Sequence, residues 1–419
     1  MKTLDFSDTK IYSYPMRRRF EHDVREARLV RFLREEGPSN SERLQHLLGI
    51  SQPTFSRLIT KLGGGVQRFG RGPATRYAVP RTIPGVDTPV PVFEIRQAPH
   101  APRFLVKLQP VEPRGFVSIQ VDSSRWEYHQ GLPWYLHDLW PRGFLGRQTP
   151  RRHPALGLPD DIRVWDDSHL LLYLTSAGWD LPGAFIVGDA AFGRFMRQDE
   201  TSLGVLRTDE RHLRYPEFAN ESLTHGEPGS SAAGEQPKFL AVRAEDDRQI
   251  PVLVKYSPAG DDPVARRIAS LLIAEQLALE TLSDAGIPVA RSSLIHAAGR
   301  VFLESERFDR DGRRYRHGAC SLDALDGEFL GSDRTSWSKA SRRLAERGII
   351  PTDSMARIHL VERFGQLIGN TDRHFGNLSF YLDGTKVTGL APIYDMLPMH
   401  YAPRGGGTDT FFWPHLRGK

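Results

Sequence analysis

Asp372 and Asn377 stand five positions apart in the stretch GNTDRHFGN, and Asp395 follows in APIYDM. A carboxylate and an amide at the two ends of one tight loop can divide the work of a transfer reaction. The carboxylate accepts or orients an attacking hydroxyl, and the amide oxygen can ligate a metal. Residues 378–382 and 386–390 flank Asp383-Gly384, a strong hairpin signal that folds the chain back towards Asn377 and brings Asp395 within reach of the same ion. Hard oxygen donors of this kind suit Mg²⁺. His374 lies inside the loop, and a structural role is expected for it.

These residues need elements to position them. Met355–Ile368 carries Ile358, Val361, Phe364 and Ile368 on one helical face and delivers the chain into the loop. Upstream, the small polar stretch HGEPGSSAAG, residues 225–234, precedes Lys238 and two expected strands, Phe239–Val242 and Val252–Tyr256. Backbone N–H groups of such a loop, which holds Ser230, Ser231 and Gly234, can approach phosphates. Lys238 and Lys255 can neutralise phosphate charge. Pro263–Leu282 reads as a helix whose Glu275 can pair with Lys255, although by spacing alone an exposed glutamate is the plainer reading. Ala285–Val289 is expected to end this helix and start a strand, and residues 301–310 to link two lobes.

The N-terminal 82 residues hold 16 lysines and arginines against 8 acidic residues, while the remainder holds 40 against 43. Such asymmetry points to a polyanionic partner for that end. A helix is expected from Val24, ended by Gly37-Pro38. Ser39 and Glu42 have capping-box spacing for a second helix, and Ser51 caps a third with Pro53 in its first turn. Strands Val66–Phe69 and Thr75–Val79 follow. Three helices and a basic hairpin resemble a winged helix-turn-helix. In it Gln52, Thr54, Ser56, Arg57 and Lys61 face DNA from the third helix, and Arg68, Arg71 and Arg76 from the wing. A protein-interaction module of the same shape is the rival.

Between these ends the sequence is less informative. Pro80, Pro84, Pro89 and Pro91 mark a linker. Strands are expected at Phe93–Ile95, Phe104–Leu108 and Phe116–Val121, broken by Pro102, Pro110 and Pro113. The aromatics of residues 131–150 could stack on single-stranded nucleic acid, but Trp134, Trp140 and Phe144 suit a protein core better. The single cysteine, Cys320, rules out an intrachain disulfide or a cysteine-based zinc site. With no apolar leader in MKTLDFSDTK and no long apolar run, a cytoplasmic protein without membrane contact is expected.

The segments SSAAGEQPK, VLVKYS, AEQLALETLSDAGIPVA, ERFDR, GNTDRHFGN and APIYDM resemble the HipA family of bacterial serine/threonine kinase toxins, over roughly residues 90–400. The resemblance implies Asp372 as catalytic aspartate, Asn377 and Asp395 as Mg²⁺ ligands, Lys255 on ATP phosphates, and Ser231 as the autophosphorylated serine of the loop. It implies a protein substrate, within the translation machinery for the family, and places this chain in a branch with a fused DNA-binding head. A homodimer is among the expected partners. The fold expected is α+β, a winged helix-turn-helix (1–82) before a two-lobed kinase, comprising an N-terminal subdomain (83–225), a nucleotide-binding lobe (226–310) and a helical catalytic lobe (311–419). Only 24 residues follow Asp395, against several helices in family kinases, so a shortened last lobe is expected. Two rivals stay open: a small-molecule or lipid kinase, and a DNA-binding regulator with a non-catalytic sensor domain.

Overall fold

A computed structural model of the chain describes residues 14–197, 205–224 and 236–403. They fall into two parts, one drawn from Met1–Pro91 with Leu105–Pro133 and the other from Val92–Phe104 with Trp134–Lys419. The architecture is mixed α and β.

In the first part, helices Tyr14–Glu36, Ser41–Leu48 and Gln52–Leu62 bury Leu29, Leu33, Leu44, Leu48, Phe55 and Leu58 in one core with Val66, Tyr77 and Val79. Burial of each large side chain contributes about 1.5–3 kcal/mol. The first helix begins ten residues ahead of Val24, in a polar run whose composition shows no apolar period. The second helix is capped by Asn40, whose side chain accepts from Arg43 N–H at 2.8 Å. Ser39 cannot cap it, because its N–H and C=O both pair with Tyr77. Ser51 precedes the third helix, but its hydroxyl meets Thr54 Oγ1 at 3.1 Å and makes no cap bond.

The hairpin Gln67–Phe69 with Arg76–Ala78 rests on an antiparallel meander. The meander is formed by strand Arg103–Val111 from Leu105 onward, Gly115–Gln120 and Trp126–His129. Phe69 and Ala78 share a core with Val111 and Val117, and Trp126 packs on it. Gly70 is required there: its φ is +79° and a Cβ would lie 2.2 Å from Trp126 Nε1. Pro110 does not break its strand. It sits near the strand's end, opposite Phe116, and its carbonyl accepts from Arg81 N–H.

In the second part a sheet runs Ser292–Ala297, Arg300–Glu306, Arg248–Tyr256, Lys238–Glu245, Val205–Arg207, antiparallel except for the last pair. Helix Arg211–Thr224 covers one face through Tyr215 and Ala219, against Phe239, Val254 and Tyr256. Helix Pro263–Asp284 covers the other, with Leu272 on Val301 and Leu303. Ala285–Val289 starts no strand, and Val289 makes a single parallel bridge to Ile393. A second sheet, Gly318–Ser321, Ser379–Asp383 and Lys386–Leu390, is accompanied by helices Leu322–Phe329, Trp337–Glu346 and Ser354–Leu367. Glu94 is buried in this part, where it pairs with Arg103 and accepts from Gly384 N–H at 2.6 Å, holding the hairpin turn. Among the described residues no helix is long and apolar enough to cross a membrane.

Candidate active site

Side chains on a strand alternate between faces. Val254 and Tyr256 point to the Arg211–Thr224 helix, so Lys255 points to the other side. Lys238 stands directly opposite Lys255 in the antiparallel register, which puts two ammonium groups on one face. Like charges so placed repel unless acids answer them. Three acids do. Glu275 occupies a buried stripe with Leu271, Leu272, Ala278, Leu279 and Leu282, where the helical period calls for an apolar residue. Its carboxylate accepts from Lys255 Nζ at 2.6 and 2.8 Å. Lys255 also donates to Asp395 Oδ1. Asp372 feels the field of both lysines.

The electrostatics follow from this geometry. Burial disfavours the Lys255 cation, but Asp395 and Glu275 outweigh it and raise its pKa. Burial raises Glu275, against the pull of Lys255. Burial also acts on Asp395, yet Lys255 and Lys238 prevail and hold it at about 2. Asp372 is raised by desolvation in its loop, opposed by His374 and reinforced by Asp395.

Each segment of the site is held from outside. Helix Ser354–Leu367 ends through Gly369, whose φ is +73°, and Asn370 N–H returns to Gly365 O at 2.8 Å. Asn370, 1% exposed, accepts from Asp372 N–H at 3.0 Å and donates to Asp395 O at 3.4 Å. Asn377 is buried, and its Nδ2 donates to Asp372 O at 2.9 Å. His374 Nδ1 accepts from Gly376 N–H at 3.1 Å, a local turn bond in keeping with the expected structural role, and Trp337 Nε1 donates to His374 O. Tyr394 donates to Gly376 O at 2.8 Å and meets Ser379 Oγ at 2.7 Å, locking the turn that presents Asn377. Asp395 takes φ +53°, a left-handed conformation that side chains rarely adopt.

Lys238, Lys255, Glu275 and Asp395 line one cleft of about 690 Å³, together with Leu240, Leu253, Ala290, residues 305–309 and Tyr394. Among the described residues no three His, Cys, Asp or Glu side chains gather as a metal cage. Asn377 and Asp395 still fit a hard ion that takes its other oxygens from phosphates and water. The amide nitrogen of Asn377 is occupied by Asp372 O, and only one carboxylate oxygen of Asp395 has a bonded partner among the described residues. Ser230, Ser231 and Gly234 lie outside the described residues, as does the chain from 404 onward.

On the first part, Gln52, Ser56, Arg57, Lys61, Arg68 and Arg71 are exposed, and Thr54 and Arg76 half-buried. Lys61 is ion-paired to Glu26, and Arg76 bonds the Pro73 and Thr75 carbonyls. In the second part, Trp134 packs edge-on against Tyr135 and Phe329, as a core aromatic should. Asn370, Tyr394 and Glu94 escaped the sequence reading. Their partners lie 2 and 25, 18, and 290 positions away, and the long separations leave no spacing signal.

Residues 86–196 match the family described as YjjJ-like toxin, middle domain, and residues 230–415 that described as HipA-like C-terminal domain. Over 374 residues the chain is 38% identical to Toxin YjjJ of Escherichia coli (strain K12), spanning 89% of this chain and 83% of that protein. The chain belongs to the HipA-like toxin family. Among solved structures, the Shewanella oneidensis MR-1 toxin–antitoxin system HipA, in complex with HipB and its operator DNA, shares 16% identity over 74% of this chain and 76% of that one, with a TM-score of 0.46. The Helicobacter pylori proinflammatory kinase CtkA shares 15% over 38% and 55%, with a TM-score of 0.29.

Proposed function

We propose that this HipA-like toxin is an ATP- and Mg²⁺-dependent protein serine/threonine kinase with a DNA-binding head. One observation carries the reading. Lys255 on a strand, Glu275 on the helix behind it and Asp395, 140 positions further on, converge in one cleft. ATP with Mg²⁺ would supply the γ-phosphoryl group, with ADP as the leaving group, and a divalent charge that offsets the phosphate oxygens. Lys255 and Lys238 face the phosphates. Glu275 holds Lys255 in place. Asn377 Oδ1 and the Asp395 carboxylate would hold the metal. Asp372 orients the acceptor hydroxyl, and its raised pKa suits it to accept that proton as transfer proceeds. The acceptors are a hydroxyl on another protein and the chain's own Ser231.

The head is read as a winged helix-turn-helix in which Gln52, Thr54, Ser56 and Arg57 meet base edges or phosphates and Arg68 and Arg71 meet phosphates. Lys61 contributes less, being engaged with Glu26.

The test is incubation with γ-labelled ATP and Mg²⁺, followed by mass spectrometry of the 225–235 peptide. Phosphate on Ser231 is expected, with loss of at least about 100-fold in Asp372→Asn and in Asp395→Asn. Undiminished incorporation in either variant overturns the mechanism. For the head, Arg57→Ala is expected to weaken duplex binding and reduce its salt slope by about 1.

A further inference from the structure

The Asn370 side chain bonds to both the Asp372 loop and the Asp395 turn. It is 1% exposed, at the end of helix Ser354–Leu367, and its amide is committed in two directions. Oδ1 receives Asp372 N–H at 3.0 Å, and Nδ2 donates to the backbone oxygen of Asp395 at 3.4 Å, with Met396 Sδ at 3.6 Å behind it. The two segments it joins are 23 positions apart in the chain. Asp395 holds a left-handed φ of +53° without being glycine, a conformation that persists only where its surroundings fix it. A buried carboxamide offers an acceptor oxygen and a donor nitrogen in one plane, whereas an ionised aspartate of the same length only accepts.

We propose that Asn370 is a positioning residue that sets the separation between the hydroxyl-orienting Asp372 and the metal-holding Asp395. The proposal rests on the kinase reading for its consequence, but its geometry stands without that reading. Asn370→Asp keeps the acceptor and the shape and loses the donor. Asn370→Leu loses both. Loss of the donor frees the Asp395 turn, so the ion is held less well, while the Lys238–Glu245 strand keeps its backbone pairing with Arg248–Tyr256.

Two measurements on the full chain test this. Hydrogen exchange followed by mass spectrometry is expected to show faster exchange in Asn370→Asp across residues 394–397, and in Asn370→Leu across both 371–377 and 394–397. The exchange of the Lys238–Glu245 strand should be unchanged. Labelled-phosphate incorporation, titrated with Mg²⁺, is expected to need at least about 10-fold more metal for half-maximal rate in Asn370→Asp, with the KM for ATP at saturating metal within about 3-fold of the parent. Unchanged exchange at 394–397, or a uniform rise over the whole chain, overturns the bridge. An unshifted Mg²⁺ requirement overturns its role in positioning. If the parent chain incorporates no phosphate, the kinase reading falls, and the exchange pattern still decides whether Asn370 joins the two segments.

Discussion

The second part of the molecule buries two charge clusters built from the same ingredients. One is Lys255 with Glu275 and Asp395. The other is Arg307 and Arg310 with Asp309 and Asp180. In the second, Asp309 receives Arg307, Arg310 and the Gly183 N–H, at 2.7 to 3.1 Å. Burial opposes ionisation of Asp309, but the two guanidinium groups overwhelm it and push its pKa far down. Both Asp309 oxygens are bonded, and the cluster ties residues 180–183 to 307–310. In the first cluster one Asp395 oxygen has no bonded partner among the described residues, the backbone is left-handed and the side chain is 28% exposed. Burial of charge is therefore no mark of chemistry by itself. What separates the clusters is whether the carboxylate's bonding capacity is used up.

The largest effect is expected where it is used up. Asp309→Asn leaves two buried guanidinium groups short of a counter-charge and should cost about 3–5 kcal/mol in chemical denaturation. A loss under about 1 kcal/mol would erase the contrast. Lys255→Met should act in the opposite sense, lowering phosphate incorporation about 100-fold or more, which is about 2.7 kcal/mol of barrier, with less change in melting. Melting that falls as far as for Asp309→Asn would make the site cluster structural as well.

Acid should distinguish them next. The folded pKa of Asp395, about 2, lies below its ordinary value, so its contribution is present above that ordinary value and is lost as pH falls towards 2. The loss is about 2 kcal/mol, read as a fall in stability between pH ~4 and ~2. Asp395→Asn should flatten that part of the stability profile. The smallest effect belongs to Asp180→Asn, whose side chain is 38% exposed, so solvent screens its pairing and about 1 kcal/mol or less is expected.

The site was legible where chemistry and chain proximity coincide. Asp372 and Asn377 share one loop, and the Asp383-Gly384 hairpin returns the chain to them. Glu275 was half-legible: its residue type favours an exposed position, but its spacing puts it in the apolar stripe of Leu271, Leu272 and Leu279, and a carboxylate there demands a buried partner. Asn370, Tyr394 and Glu94 were illegible, because backbone carbonyls and amides accept any donor or acceptor and leave no pattern in residue types. The head was legible as to its helices, since leucine spacing sets them, but its cap was misplaced. Ser39 and Asn40 are both good caps, and only the pairing of Ser39 with Tyr77 chooses between them. Helices Leu322–Phe329 and Trp337–Glu346 went unread, and the second buries two serines, Ser338 and Ser341, on its inner face.

The single bridge between Val289 and Ile393 has a mechanical meaning. Ile393 N–H donates to Pro288 O, and Ala290 N–H donates to Ile393 O, both at 2.9 Å. Pro288 follows the long helix of Glu275 by four residues, and Ile393 precedes Asp395 by two. The helix and the Asp395 turn are thus yoked at two places, once through the Lys255 ammonium and once through this backbone clasp. One attachment would leave a pivot; two resist turning as well as separation, so the helix and the Asp395 turn are held as one unit.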